Sequence, residues 1–71
     1  MTQRVLIIGL GLIGGSLAKA LRSRRLCHSV IGFDRDADEL AVGLRLGVID
    51  EAAENLLAAV ERADVVVLAV P

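Results

Sequence analysis

Three stretches of this chain are apolar at nearly every position, and the segments between them carry apolar residues at helical spacing. Residues 4–8 (Arg-Val-Leu-Ile-Ile) are β-branched and apolar with no polar alternation, the pattern of a strand covered on both faces. Ser29 to Phe33 and Val65 to Val70 repeat it. Between the first two runs, residues 12–25 place Ile13, Leu17, Ala20 and Leu21 on one helical face, with Lys19 and Arg22 elsewhere. A second helix is expected from about Ala37 to Leu46, with Leu40, Ala41 and Leu44 inward. Asp36 stands at its N-cap, Glu39 follows at capping-box spacing, and Gly47 is its stop. Residues 50–62 read as a further helical stretch with Leu56, Leu57 and Val60 apolar, and Asp50 and Glu51 suit its start.

The alternation β-α-β-α-β implies an α/β fold with a parallel sheet. Right-handed crossovers order its three strands 3-2-1, with the Val65–Val70 strand beside the second. Both main helices then fall on one face, the other face is bare, and the first strand keeps an open edge. Strands apolar at every position do not suit a bare face. Residues 1–71 are therefore expected to be the N-terminal half of a larger domain, whose other half pairs with Val5–Ile8 and covers the open face.

Composition adds limits. A chain of 71 residues is one small domain or part of one. Its 55% apolar content with one aromatic residue is mostly Val, Ile, Leu and Ala, which suits such a sheet. Net charge is −1, from eight basic and nine acidic residues, so bulk electrostatics suggest neither nucleic acid nor an acidic surface as a partner. Arg22, Arg24 and Arg25 cluster where a helix ends and complement its dipole. The single cysteine, Cys27, builds no disulfide framework or metal site and fits a reducing cytoplasm. Cys27 and His28 read as a buried thiol and a loop histidine rather than a catalytic pair. The apolar run after Arg4 is broken by glycines, followed closely by Lys19 and Arg22, and too short to span a bilayer. It is read as neither signal peptide nor membrane anchor.

The chemistry lies where the first strand meets the first helix. Gly9-Leu10-Gly11-Leu12-Ile13-Gly14 is a Gly-x-Gly-x-x-Gly turn, and Asp34 stands twenty residues beyond Gly14 at the end of the second apolar run. In that context each residue type has a mechanical reason. Gly9 allows the tight turn, Gly11 lets backbone approach a pyrophosphate, and Gly14 lets helix pack on strand. Amides near Leu12 and Ile13, aided by the helix dipole, suit phosphate oxygens. Asp34 suits a ribose hydroxyl pair and repels a 2′-phosphate, which favours NAD over NADP. Arg35 suits stacking on adenine, although it could also pair with a 2′-phosphate. The fold expectation is thus a Rossmann-type half domain. No Ser-His-Asp set or metal constellation is visible, and the remaining acids fit caps and solvated faces.

The run Gly9-Leu10-Gly11-Leu12-Ile13-Gly14-Gly15-Ser16-Leu17-Ala18-Lys19-Ala20-Leu21 resembles the opening of prephenate dehydrogenases and their arogenate-using relatives. Val30-Ile31-Gly32-Phe33-Asp34-Arg35, Leu46-Gly47-Val48-Ile49-Asp50 and Ala63-Asp64-Val65-Val66-Val67-Leu68-Ala69-Val70-Pro71 are similar to later segments of that family. Related β-hydroxyacid dehydrogenases commonly carry Met where Ile13 stands and lack Gly-Gly-Ser. The resemblance implies NAD(P)-dependent oxidative decarboxylation of prephenate to 4-hydroxyphenylpyruvate in tyrosine biosynthesis. It carries over only cofactor contacts: Gly9, Gly11, Leu12, Ile13, Gly14, Asp34 and Arg35, with Val70 and Pro71 bordering the nicotinamide side. It also implies that the substrate-binding histidine and arginines, and a helical domain that forms a homodimer, lie further along a longer chain. His28 precedes the second strand and does not match that histidine. The other readings are another NAD(P)-linked dehydrogenase, such as a β-hydroxyacid dehydrogenase, and a non-catalytic nucleotide-sensing module.

Overall fold

The structure, a computed structural model, describes residues 3–70. Seven elements follow one another: β1 (Arg4–Ile8), α1 (Leu12–Ser23), β2 (Ser29–Phe33), α2 (Ala37–Arg45), β3 (Glu51–Ala52), α3 (Leu56–Arg62) and β4 (Val65–Leu68). All strand pairings are parallel and the sheet order is β3-β2-β1-β4. The α/β class and the parallel sheet agree with the sequence reading, and the first three strands stand in the order 3-2-1, but the third of them is Glu51–Ala52 and not the Val65–Val70 run.

The Val65 strand departs from that reading. It pairs with β1, Val5 against Val65 through Ile8 against Leu68, and not with β2. The place beside β2 is taken by β3, a two-residue strand within the stretch expected to be helical from Asp50. Asp50 and Ala53 donate their amides to the Val30 and Gly32 carbonyls, so sheet pairing wins over helix there. The helix starts only at Leu56, where the Asn55 side chain accepts the Ala58 amide. The open edge expected of β1 is therefore closed: β1 is central.

The reversed direction of the last crossover also moves a helix. With right-handed connections, α1 and α2 share one face and α3 lies on the other. Two cores show it. Val5, Ile7, Leu10, Ala18, Val30 and Ile49 pack together on the α1–α2 face, supported by Leu17, Leu21 and Leu40. Leu6, Ile31, Ala53 and Ala59 form the second core, joined by Ile8, Phe33 and Ala63. The face expected to be bare is thus partly covered by α3. Leu6, Ile7, Val30 and Ile31 are fully buried, as all-apolar strands require. On β4, Val66 and Leu68 stay exposed.

Helices α1 and α2 end by one device. After α1, the Arg25 amide bonds to the Arg22 carbonyl and the Leu26 amide to the Leu21 carbonyl. After α2, Gly47 bonds to Leu44 and Val48 to Gly43 in the same way. Each is a Schellman motif with its C′ residue in the left-handed region, Gly47 at φ +71° and Arg25 at φ +53°. Hence α1 stops at Ser23, two residues short of the expected end. Ala18 and Gly14 are its buried residues, and Ile13 is exposed rather than inward. In α2, Ala41 and Leu44 are likewise exposed.

Candidate dinucleotide site

The site forms where β1, β2 and β4 end. Gly9 leaves β1 at φ +99°, a conformation glycine adopts without a Cβ penalty, and its amide extends the ladder to the Phe33 carbonyl at 2.8 Å. On the other side Ala69 donates to the Ile8 carbonyl at 2.8 Å. Here β1 turns into α1.

The three fingerprint glycines answer to different demands. A Cβ on Gly9 would lie 2.9 Å from the Ala69 carbonyl oxygen, and one on Gly14 would run into the Gly9 carbonyl oxygen. Both are dictated by the protein's own packing. A Cβ on Gly11 would meet nothing within 4 Å, and Gly11 has an ordinary negative φ of −67°. Nothing in the described protein requires glycine there, and a Gly11 without a side chain leaves the backbone at the start of α1 open to close approach.

The start of α1 is built differently from those of α2 and α3. Asp36 and Asn55 cap the latter two with their side chains, whereas Gly11 caps α1 with no side-chain bond. The first bond of the α1 helix runs from the Gly15 amide to the Gly11 carbonyl at 2.8 Å. Amides of Leu12, Ile13 and Gly14 precede it, and the first turn carries no acid. Such a terminus favours an anion. Leu12 and Ile13 are 93% and 77% exposed beside it, too open to be explained as core.

Asp34 follows β2 directly. Its Oδ2 accepts the Leu10 amide at 2.7 Å and its Oδ1 the Asp36 amide at 2.8 Å. These bonds, Asp36 first and Leu10 second, hold its carboxyl below the ordinary carboxylate range, with Arg35 adding to the effect. Because the Asp36 amide is taken by Asp34, the capping box expected with Glu39 is only half made: Asp36 caps the Asp38 amide at 2.9 Å.

A cleft of about 600 Å³ brings together Gly9, Gly11, Asp34, Arg35 and Val70. Gly14 is buried behind the turn, and Leu12 and Ile13 lie outside the cleft wall. Pro71 lies outside the described residues. Sequence reasoning passed over Ile8, Phe33 and Ala69, which also line the cleft. The signal was present, since all three sit at or just past the carboxyl end of a strand. His28 is exposed and Cys27 half-buried at the other end of the sheet, where the His28 amide meets the Gln3 carbonyl. Among the described residues no three His, Cys, Asp or Glu side chains are grouped to hold a metal, and no helix is long and apolar enough to cross a membrane.

The chain is similar to known proteins in sequence and in fold. The family model for the prephenate dehydrogenase nucleotide-binding domain matches residues 17–71, a span that begins just after the glycine turn. Prephenate dehydrogenase of Bacillus subtilis (strain 168) is 38% identical over 71 residues, all of this chain and 19% of that protein. The Lactococcus lactis subsp. cremoris (strain MG1363) enzyme is 38% identical over 69 residues, 97% of this chain and again 19% of that protein. Prephenate dehydrogenase from A. aeolicus, solved in complex with hydroxyphenyl propionate and NAD+, superposes with a TM-score of 0.87 at 33% identity, covering 100% of this chain and 25% of that one. The chain thus spans about a fifth of the length of the curated relatives it matches.

Proposed function

The chain belongs to the prephenate dehydrogenase family, through its nucleotide-binding domain, and we propose that it supplies the NAD site of an enzyme that oxidatively decarboxylates prephenate. The observation that carries the reading is Gly11, a glycine that no contact in the described protein requires, at the start of α1 with no side-chain cap and in one cleft with Asp34. In this reading the amides of Leu12, Ile13 and Gly14 hold the pyrophosphate. Asp34 takes the adenosine ribose hydroxyls, Arg35 stacks on the adenine, and Val70 and Pro71 border the nicotinamide. NAD is favoured over NADP because an ionised Asp34 repels a 2′-phosphate. The A. aeolicus protein in complex with NAD+ supports the choice.

When bound, the nicotinamide supplies the hydride acceptor. Hydride leaves the ring carbon that bears the hydroxyl, and loss of carbon dioxide aromatises the ring to give 4-hydroxyphenylpyruvate, a step of tyrosine biosynthesis. This chain's part is to hold and orient the cofactor. The residues that grip the substrate belong, on this proposal, to a longer cytoplasmic protein that pairs as a homodimer through a helical domain, without nucleic acid or membrane. NADH formation from prephenate and NAD by the full-length protein is the expected result. Absence of turnover together with absence of NAD binding would sink the reading. The 71-residue segment alone is expected to be inactive and poorly soluble.

A further inference from the structure

We infer that Asp34 is a positioning residue as well as a ribose ligand: its carboxylate fixes the glycine turn in the shape that receives a pyrophosphate. The inference rests on the dinucleotide reading above and deepens it. The Gly9 amide makes the last backbone bond from the turn to β2, at the Phe33 carbonyl. The next amide in the turn is that of Leu10, which finds the Asp34 carboxylate at 2.7 Å in place of a backbone carbonyl. Leu10 is the one residue between Gly9 and Gly11, so its position sets where Gly11 lies. Its side chain is buried in the α1–α2 core, and Asp34 holds the same residue from the backbone side.

The other oxygen of Asp34 holds the Asp36 amide, and Asp36 caps α2. One carboxylate therefore joins the phosphate turn to the start of α2. An ionised carboxylate has about four acceptor sites. Two are used by these amides, which leaves capacity for a ribose diol. The two subsites share one anchor, and a change made at Asp34 to alter the choice of cofactor would also loosen the turn.

The test separates the two roles with an NAD analogue whose adenosine ribose is 2′,3′-dideoxy, so that the diol contact is absent from the start. In the full-length protein, Asp34→Ala is expected to weaken this analogue about tenfold, the worth of one lost bond to a charged acceptor. Hydrogen exchange at the Leu10 amide should speed up without any ligand. Asp34→Asn, which keeps one acceptor oxygen, should recover part of both effects, and it carries the test if the alanine variant does not fold. Equal affinity of wild type and both variants for the dideoxy analogue, with NAD itself weakened, would leave Asp34 a ribose ligand only and overturn the inference. Failure of the wild type to bind NAD would overturn the dinucleotide reading instead, and would be seen before any variant is made.

Discussion

The two ends of the parallel sheet use the same side chain in different ways. At the amino end, Asp50 and Asp64 each stand just before a strand and make a reciprocal pair. Asp50 donates its amide to the Val30 carbonyl while its Oδ2 accepts the Val30 amide, and Asp64 does the same with Arg4. Each carboxylate stands in for the carbonyl of one more ladder residue and pins the register of β3 against β2, or of β4 against β1. Arg22 from the end of α1 pairs with the remaining oxygen of Asp50. At the carboxyl end, Asp34 also accepts amides, but from a turn and a helix cap, and it faces a cleft. The amino end closes its bonds inside the protein, whereas the carboxyl end leaves acceptors and amides for a visitor.

The sharpest break in this comparison is Gly14→Ala. The new methyl runs into the Gly9 carbonyl, so stability should fall by about 3 kcal/mol and NAD binding should disappear, read by urea unfolding and NAD titration. Next is Gly11→Ala. Its methyl enters open space, so stability should stay within about 0.5 kcal/mol while NAD affinity drops roughly a hundredfold. A stability loss equal to that of Gly14→Ala would show that Gly11 serves the fold. Asp50→Ala tests the amino end. It orphans the Val30 amide and should cost about 1.5 kcal/mol in chemical denaturation, with NAD affinity unchanged in the folded fraction.

The smallest effect concerns pH. The Asp34 carboxyl is lowered from its ordinary value of 3.8, so its contribution is fully present above that value and is lost only as pH falls through the lower folded one. Between neutrality and about pH 5, NAD affinity should show no loss traceable to Asp34. A step in that window, absent from Asp34→Asn, would show that the amides of Leu10 and Asp36 do not hold the carboxylate.

The elements marked by strong local chemistry were legible in the sequence. Strands β1 and β2, the Asp36 cap, the Gly47 stop and, of the cleft, Gly9, Gly11, Asp34 and Arg35 needed only periodicity, caps and spacing. What escaped depends on partners. A strand apolar at every position carries no face preference, so Val65–Leu68 could not announce whether it lies beside β1 or β2. Glu51 and Ala52 are a strand only because β2 offers them carbonyls and amides, and Arg62 then pairs with Glu51 at 2.5 and 2.8 Å. Ile13 keeps helical phase with Leu17, yet Gly14 is the residue pressed against the sheet in that first turn, so Ile13 stays outside.

The central place of β1 has a consequence in time. Its two neighbours are made at different moments: β2 follows within about thirty residues, but β4 begins 60 residues after Val5, with its register fixed by Val5 against Val65. At roughly 5–20 residues per second of synthesis, β1 waits several seconds with one edge open. Until Val65–Leu68 emerges, a strand that ends up inside the finished sheet is an unguarded template for mispairing. Long-range closure of this kind also slows folding relative to a chain whose neighbours follow in order.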